Sequence, residues 1–332
     1  MLSEAPILWP LSLFPRQPLT RNVDFTTHHC QKEIFIHVKN DSIYDNKKQV
    51  FLQAEIHTDY DENILKVKDR EGYMNFEDIT YEKKEGVAKI VVNRPEKFNA
   101  FRTETLMEMI KAFEDIELDR SIGVAVLTGA GNKAFCVGGD AGESKGGGYR
   151  PELLVYVRKV HDMIRKLPVP IIAAVNGYAI GGGHVFHLLC DLTIAAETAV
   201  FGQAGPRVGS FDAGYGAAYL ARVVGEKRAR EIWFLCEQYS AQEAQEMGLV
   251  NKVVPPDTLE EEVDIWCRKM LAMSPTALKF LKASFNRETD HLAGSEAMAY
   301  NAMWLYYQTE EAAEGKNAYL EKRPTDFSKF RK

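Results

Sequence analysis

Hydrophobic and polar positions follow two different patterns along the chain. Residues 1–73 mix polar and aromatic side chains without sustained periodicity, which predicts a weakly ordered N-terminal extension. From Met74 onward, two runs of alternating residues lie on either side of Glu85 and Gly86. Alternation around a turn signal predicts two strands joined in a hairpin. The change of pattern leads to the hypothesis that Met74 is the start of the functional chain.

Apolar strand-like runs then alternate with helical ones. A helical period covers residues 103–118, and an apolar run follows at 123–129. A second helical period at 152–167 is followed by a second apolar run at 170–177. Because strands and helices take turns, the pattern predicts an α/β domain whose sheet is covered by crossover helices.

The pattern after about residue 214 is mainly helical. Ser240 and Gly248 flank a short helical run, the first as an N-cap and the second as a stop signal. Further helices are expected from about 258 to 273, from 276 to 286 and from 292 to 311.

The composition narrows the class of protein. With 332 residues, 45% of them hydrophobic and 27% charged, the chain is expected to form one catalytic domain with an extension. A formal net charge of −6 disfavours nucleic acid as a partner, since binding it requires a basic surface. The N-terminal apolar stretch is broken by Pro6 and Pro10, so neither a signal peptide nor a membrane segment is expected.

Cysteine usage points to a reducing compartment. The five cysteines are Cys30, Cys136, Cys190, Cys236 and Cys267. Their odd number and their scattered spacing predict neither a disulfide framework nor a zinc site. A cytoplasmic location without a bound metal is therefore expected.

Two glycine clusters share one design. The runs AFCVGGD (134–140) and NGYAIGGGHVFHLLCD (176–191) each place consecutive glycines directly after an apolar strand. Glycine allows close approach of the backbone to a ligand, and N–H groups at a helix start carry partial positive charge. Together the clusters are suited to bind one developing oxyanion, although each alone is more typical of a tight strand-to-helix turn. Neither matches a dinucleotide or P-loop motif.

These clusters also carry a family resemblance. Together with NRPEKFNAF (93–101) and SAQEAQEMGLVNKVV (240–254), they resemble the enoyl-CoA hydratase/isomerase (crotonase) superfamily over roughly residues 74–330. The resemblance implies an α/β fold in which 74–265 form a crotonase-like spiral of ββα units. It also implies that 266–332 form a C-terminal helical segment that assembles a homotrimer or homohexamer.

The resemblance implies the chemistry as well. The expected substrate is an acyl-CoA thioester, with coenzyme A as part of the substrate and no tightly bound cofactor. The backbone N–H groups of Gly139 and Gly182 would polarise the thioester carbonyl and stabilise an enolate. A preorganised donor of this kind is worth roughly 3–4 kcal/mol in a transition state.

The simple hydratases of the superfamily use two glutamates that this chain lacks. The matching positions are Val185 and Gly205, and a hydratase needs an acid and a base on its water. The run GSFDAG supplies Ser210 and Asp212 instead. By resemblance, Asp212 would move a proton or hold water and Ser210 would bond the substrate ketone or enol, while simple turn capping is the alternative for both.

Several further site residues follow from the resemblance alone. Tyr149 would close over the substrate, and Tyr307 matches a tyrosine that trimers insert into a neighbouring subunit's site. Gly205 would leave an empty space beside Gln203, where a bicarbonate is hypothesised to replace the missing carboxylate. Lys322 would meet an acidic substrate group. The remaining substrate or CoA positions are Lys97, Arg102, Ala134, Val137, Gly138 and Asp140, whereas His184 and His187 are interpreted as structural.

Within the superfamily the chain resembles two groups that make or break a carbon–carbon bond next to a thioester. The segment GGDAGESKGGGY (138–149) lacks the basic pair of the ring-closing 1,4-dihydroxy-2-naphthoyl-CoA synthases. This favours the ring-opening 2-ketocyclohexanecarboxyl-CoA hydrolases. The run KRPTDFSKF (322–330) favours the synthases, and a non-catalytic acyl-CoA-binding member stays as a third hypothesis.

Overall fold

The computed structural model of the chain describes residues 76–143 and 151–331. The predicted extension (1–73) and Tyr149 lie outside these residues. The described strands are β1 (Ile79–Lys84), β2 (Val87–Val92), β3 (Val124–Gly129), β4 (Ala134–Cys136), β5 (Ile171–Val175), β6 (Tyr178–Ile180), β7 (Leu192–Ala196), β8 (Val200–Gly202), β9 (Gln238–Ser240) and β10 (Lys252–Val254).

The described helices follow the predicted α/β alternation and then dominate the C-terminal part. They are α1 (Thr103–Leu118), α2 (Pro151–Lys166), α3 (Gly182–Leu189), α4 (Tyr215–Val224), α5 (Glu226–Leu235), α6 (Ala241–Glu246), α7 (Leu259–Leu271), α8 (Pro275–Arg287), α9 (Leu292–Tyr306) and α10 (Glu310–Leu320).

The chain begins its sheet with the predicted hairpin. β1 pairs antiparallel with β2, and the two turn residues, Glu85 and Gly86, both have positive φ angles, 51° and 83°. Two consecutive positive φ angles are the signature of a two-residue hairpin turn, whose twist matches that of the strands. The hairpin prediction is therefore confirmed.

Two sheets organise the part of the chain that the structure describes. The first has six strands in the order β1-β2-β3-β5-β7-β10, and all its pairs after the hairpin are parallel. The second has four strands in the order β4-β6-β8-β9. Every residue of β3 and β5 is buried, as expected for parallel strands with helices on both faces.

Helices cover the six-stranded sheet on both sides. One face shares a core with α1 and α2, to which Leu106, Phe113 and Ile164 contribute. The other face packs against α7 through Leu259, Val263 and Cys267. The predicted α/β domain with covering helices and a helical C-terminal region is therefore confirmed, and α7 runs without a break through residues 265 and 266.

The helix predicted over 292–311 is wrong in one respect, because it is two helices. α9 ends at Tyr306 and α10 begins at Glu310. The side chain of Thr309 accepts the N–H of Ala312 at 3.2 Å and caps the new helix. A threonine cap followed by acidic residues in the first turn stabilises a helix start, so the chain restarts here.

A buried lysine anchors the C-terminal helices to the α/β core. Lys282 of α8 donates to the backbone carbonyls of Ile164 and Val169, each at 3.0 Å. Its Nζ also lies 2.7 Å from a carboxylate oxygen of Asp191. One ammonium group thus satisfies three acceptors. Without a donor, such acceptors would destabilise the fold when buried.

Candidate active site

The first glycine cluster follows β4. Phe101 donates its N–H to the carbonyl of Gly138, and Asp140 donates its N–H to the carbonyl of Phe101, both at 2.8 Å. The two bonds form a parallel bridge between Phe101 and Gly139. Because backbone N–H groups alternate in direction along an extended segment, the N–H of Gly139 is directed away from Phe101.

The second cluster starts α3. Gly182 is the first residue of that helix, after Gly181 with φ 58°. The first N–H groups of a helix have no partner inside it, and the helix dipole places partial positive charge there. The N–H of Gly182 is therefore available to an anionic ligand.

The two clusters lie in direct contact. A Cβ added to Gly138 would lie 3.0 Å from the backbone nitrogen of Gly182, and a Cβ added to Gly182 would lie 3.4 Å from the Cα of Gly138. Side chains at these positions would push the two segments apart. The structure thus brings together the two backbone segments from which the predicted donors come.

Ser210 and Tyr307, two further predicted site residues, lie in contact with each other. The Oγ of Ser210 and the hydroxyl of Tyr307 are 2.7 Å apart. Burial raises the pKa of Tyr307 well above its usual value, so this hydroxyl stays protonated at neutral pH. This contact lies within one chain, and the insertion of Tyr307 into a neighbouring subunit's site stays a prediction.

Asp212 is buried and caps a turn. Its Oδ1 accepts the N–H of Gly214 at 2.8 Å, so the turn-capping alternative is confirmed for one of its oxygens. A Cβ on Gly216 would lie 2.6 Å from the carboxylate carbon of Asp212, and only glycine leaves that space. The carboxylate therefore sits at the N-terminus of α4.

The electrostatic surroundings of Asp212 favour proton transfer. Burial and the nearby Glu296 raise its pKa to about 6, against opposing effects of His161 and the backbone N–H groups of the turn. A group that titrates close to neutral pH exchanges protons efficiently in both directions. Simple turn capping does not need such a pKa, and perturbed values are enriched at functional sites.

His161 and Glu296 were missed by the sequence analysis. The Nδ1 of His161 lies 2.7 Å from Oε1 of Glu296, and both residues are only 1% exposed. The available signal was a glutamate on the same face of α9 as Tyr300 and Met303, which are buried. A charged residue on a buried helix face calls for a partner.

Ser210 also lines a cavity of about 430 Å³. The other lining residues come from the segment around Ser210, from α9 and α10 and from the C-terminal tail. They are Pro206, Phe211, Tyr306, Glu311, Phe327, Phe330 and Arg331. Half of the eight lining residues are thus aromatic, and two are charged.

Other predicted site residues are engaged in contacts of their own. Arg102 pairs with Asp78 and Glu77, each at 2.7 Å. Asp140 pairs with Arg94 at 2.9 Å and accepts the N–H of Gly142. These ion pairs fix the strand-to-helix connection beside the first glycine cluster.

The remaining predicted positions differ in their exposure. Ala134 is buried on β4, Val137 is half-buried, and Lys97 is exposed. Lys322 is exposed at the end of α10 and does not line the cavity. His184 and His187 are fully buried, and burial lowers the pKa of His184 to about 3.

The predicted empty space at Gly205 is not found in the direction of a side chain, because neighbouring atoms already lie there. A Cβ there would lie 2.8 Å from the carbonyl oxygen of Ser210 and 3.1 Å from the ring of Trp233. The buried Gln203 already bonds the Nδ1 of His184 at 3.2 Å. These residues do not fit a bicarbonate at the predicted place, because the turn itself fills it.

The two hydratase positions carry no acid. Val185 is buried on α3, and Gly205 is buried in its turn.

In the parts of the chain that the structure describes, no group of three metal-binding side chains is found. The same residues include no helix with the length and apolar character needed to cross a bilayer.

The chain belongs to the enoyl-CoA hydratase/isomerase family, whose sequence model matches residues 82–330. The protein is therefore a crotonase-superfamily acyl-CoA enzyme, with the crotonase fold. An enoyl-CoA hydratase from Mycobacterium avium subsp. paratuberculosis K-10 is 27% identical, with a TM-score of 0.68 over 76% of this chain and 100% of that one.

Two further solved structures are similar. An enoyl-CoA hydratase/isomerase from Xanthobacter autotrophicus Py2 is 34% identical, with a TM-score of 0.65 over 74% of this chain and 93% of that one. A methylmalonyl-CoA decarboxylase in complex with 2-nitronate-propionyl-CoA is 27% identical, with a TM-score of 0.67 over 76% of this chain and 99% of that one.

Proposed function

We propose that the protein opens the ring of 2-ketocyclohexanecarboxyl-CoA, or of a similar cyclic β-keto acyl-CoA, by hydrolysis of the carbon–carbon bond next to the thioester. One observation carries this proposal. The two hydratase carboxylate positions hold Val185 and Gly205, while Ser210 is hydrogen-bonded to Tyr307 and Asp212 is buried two residues further along the chain.

The reaction starts with the addition of water to the ring ketone. Asp212 takes the proton of the attacking water, since its raised pKa suits a general base. Ser210, supported by Tyr307, donates a hydrogen bond to the ketone oxygen, which gains negative charge as the ketone carbon becomes tetrahedral. This addition places two oxygens on the former ketone carbon.

Carbon–carbon cleavage follows from that intermediate. The bond between the former ketone carbon and the α-carbon breaks, and its electron pair passes into the thioester as an enolate. The N–H groups of Gly139 and Gly182 hold the enolate oxygen. The proton on Asp212 then goes to the α-carbon, and the product is an open-chain dicarboxylic acid monothioester.

The remaining substrate contacts are assigned by position. We place the coenzyme A phosphates near Lys97, which is exposed; Arg102 is already paired with acids. Tyr149 and Lys322 stay predictions for the far end of the substrate. The structural similarity of this chain to a methylmalonyl-CoA decarboxylase supports cleavage of a carbon–carbon bond next to a thioester, because decarboxylation breaks such a bond.

Ring closure of o-succinylbenzoyl-CoA, a menaquinone-pathway reaction, is the second candidate. The observation in its favour is the aromatic cavity beside Ser210, which Phe327 and Phe330 of the synthase-like tail help to line. An aromatic acyl group fits such a lining better than an aliphatic ring does.

Incubation with each thioester separately decides between these candidates. The proposal predicts that 2-ketocyclohexanecarboxyl-CoA gives the open-chain monothioester by mass, and that o-succinylbenzoyl-CoA is returned unchanged. Conversion of the second compound alone would reverse the assignment. Tight binding of both thioesters without any product would identify a non-catalytic acyl-CoA-binding protein and refute both reactions.

We also propose assembly as a homotrimer or homohexamer through the C-terminal helices. Within the described residues, α8 and α9 expose Phe280, Phe285 and Leu305 at 67%, 76% and 68%. Apolar surface of this kind is typical of an interface. Light scattering coupled to gel filtration tests this, and a monomeric mass at micromolar concentration would refute it.

A further inference from the structure

Three ionisable side chains, those of Asp212, Glu296 and His161, converge at the N-terminus of α4. Asp212 accepts the N–H of Gly214 at 2.8 Å, and Glu296 accepts the N–H of Tyr215 through Oε2 at 2.7 Å. Two carboxylates therefore occupy adjacent backbone amides at one helix start. A Cβ on Gly214 would lie 1.9 Å from Oε2 of Glu296, so glycine is required for this approach.

The second oxygen of Glu296 holds His161. Oε1 lies 2.7 Å from Nδ1 of His161, so that the imidazole is fixed at one nitrogen. Its other nitrogen, Nε2, is buried and has no hydrogen-bond partner in the described structure. Leaving a buried polar atom unpaired is unfavourable for folding. A cost of this kind is typical of a functional site.

The side chains of this cluster can carry charges of opposite sign. Burial alone would lower the pKa of His161, but the contact with Glu296 raises it above its usual value. The raised pKa of His161 favours its imidazolium form, and the ring faces the carboxylates from α2. The other groups facing His161 or Asp212 are Asp162, Tyr215, Tyr300 and Tyr307, with Arg158 beside Tyr300 and Arg165 over the ring of Tyr215.

We propose that His161 and Glu296 are positioning residues that set the charge state of Asp212, the proton-transferring group of the reaction above. The inference rests on that proposed role for its catalytic meaning. The positive His161 favours the carboxylate form of Asp212, and the negative Glu296 favours the protonated form. Because the effects of His161 and Glu296 oppose each other, Asp212 can both take a proton and return it.

The test replaces each charge by a neutral side chain of similar size. In His161→Gln, Asp212 loses its cation and is expected to titrate higher by at least about one pH unit. In Glu296→Gln, Asp212 is expected to titrate lower, because Glu296 acts on it more strongly than His161 does. His187→Gln is the matched control, since His187 is equally buried but its ring nitrogen contacts Thr193.

Carbon NMR of aspartate-labelled protein follows the titration without substrate, and Asp212→Asn assigns the signal. A structural role predicts a different sign in His161→Gln, because looser packing would hydrate Asp212 and lower its pKa. An unchanged or lower titration in that variant overturns the proposal. The acid limb of the pH–rate profile should move in the same direction as the NMR titration.

Two further outcomes keep this test separate from the proposed function. If the NMR titration moves as predicted but neither thioester is converted, the charge coupling stands and the assigned reaction fails. If His161→Gln does not fold, nitrogen NMR of histidine in the unmodified protein decides. A neutral imidazole at His161 at about pH 7 overturns the proposal, and an imidazolium supports it.

Discussion

Replacement of Gly182 by proline and by alanine tests the backbone donor at the start of α3. Proline at the first position of a helix keeps the helix, because that N–H has no partner inside it and the ring already has the helical φ angle. Gly182→Pro therefore removes the proposed donor and leaves the fold. Gly181, which precedes it, has no Cβ to clash with the proline ring.

The structure also shows what the two variants have in common. A Cβ at residue 182 would lie 2.8 Å and 2.9 Å from two ring atoms of Phe101, so both alanine and proline require that ring to shift. Only proline removes the N–H. Because the proline ring also takes the place of the N–H hydrogen, the difference between the variants reports the lost donor together with that added bulk. The donor itself is expected to contribute about 3–4 kcal/mol of transition-state stabilisation, or a rate loss of about 10²–10³.

The assay compares kcat for ring opening in Gly182→Ala and Gly182→Pro, with circular dichroism and melting curves as controls of folding. The alanine variant is expected to keep most of the turnover that the shifted Phe101 ring allows. The proline variant is expected to fall below it by the factor given above. Equal rates in two folded variants would refute the role of the Gly182 amide.

Four other predictions concern the surrounding residues. Ser210→Ala and Tyr307→Phe break the same 2.7 Å contact, so their losses in kcat/KM should not multiply in the double variant; fully multiplicative losses would contradict this. Asp212→Asn should raise the free energy of unfolding by about 3 kcal/mol at about pH 8, because the pKa of Asp212 is raised from 3.8 to about 6 in the folded state. This gain should shrink as the pH falls through 6 and vanish below about 4, and urea unfolding that shows no gain at high pH would contradict it. Lys282→Met should lower the free energy of unfolding by about 2–4 kcal/mol, since three acceptors lose their donor; an unchanged urea midpoint would count against that anchoring role. Turnover should not depend on bicarbonate, because the carbonyl of Ser210 fills the space at Gly205, and a rate that collapses in bicarbonate-free buffer would show otherwise.

The helices and strands that depend on the local sequence pattern agree with their predictions. The helix expected over 103–118 is observed as Thr103–Leu118, and the hairpin turns at Glu85 and Gly86. Both depend on periodicity and turn chemistry within a few residues. The glycine clusters were also identified, because consecutive glycines after an apolar strand mark a close approach of the backbone.

The break between α9 and α10 shows where local pattern misleads. The apolar character of 292–306 continues to Tyr307, and the only signal for a new helix is the Thr309 cap. The vacancy expected at Gly205 failed for a related reason. Ser210 donates its N–H back to the carbonyl of Gly205 at 2.8 Å, and this closure of the turn cannot be inferred from residue types.

The pairing of His161 with Glu296 is non-local and was therefore invisible in the sequence. The two residues are 135 positions apart, and each lies in a helix whose pattern also contains solvent-facing charges. Only the packing of α2 against α9 shows that both are buried. The fold thus adds to the local motifs, which the sequence carries, a charge cluster that only tertiary packing assembles.

Ring opening in heavy water tests the central claim, that a thioester enolate is released by carbon–carbon cleavage and then protonated in the site. With 2-ketocyclohexanecarboxyl-CoA as substrate, the mass spectrum and proton NMR of the product should show an open-chain monothioester that carries solvent deuterium on the carbon next to the thioester carbonyl. A product with its ring intact, or an opened product without deuterium at that carbon, would contradict the mechanism.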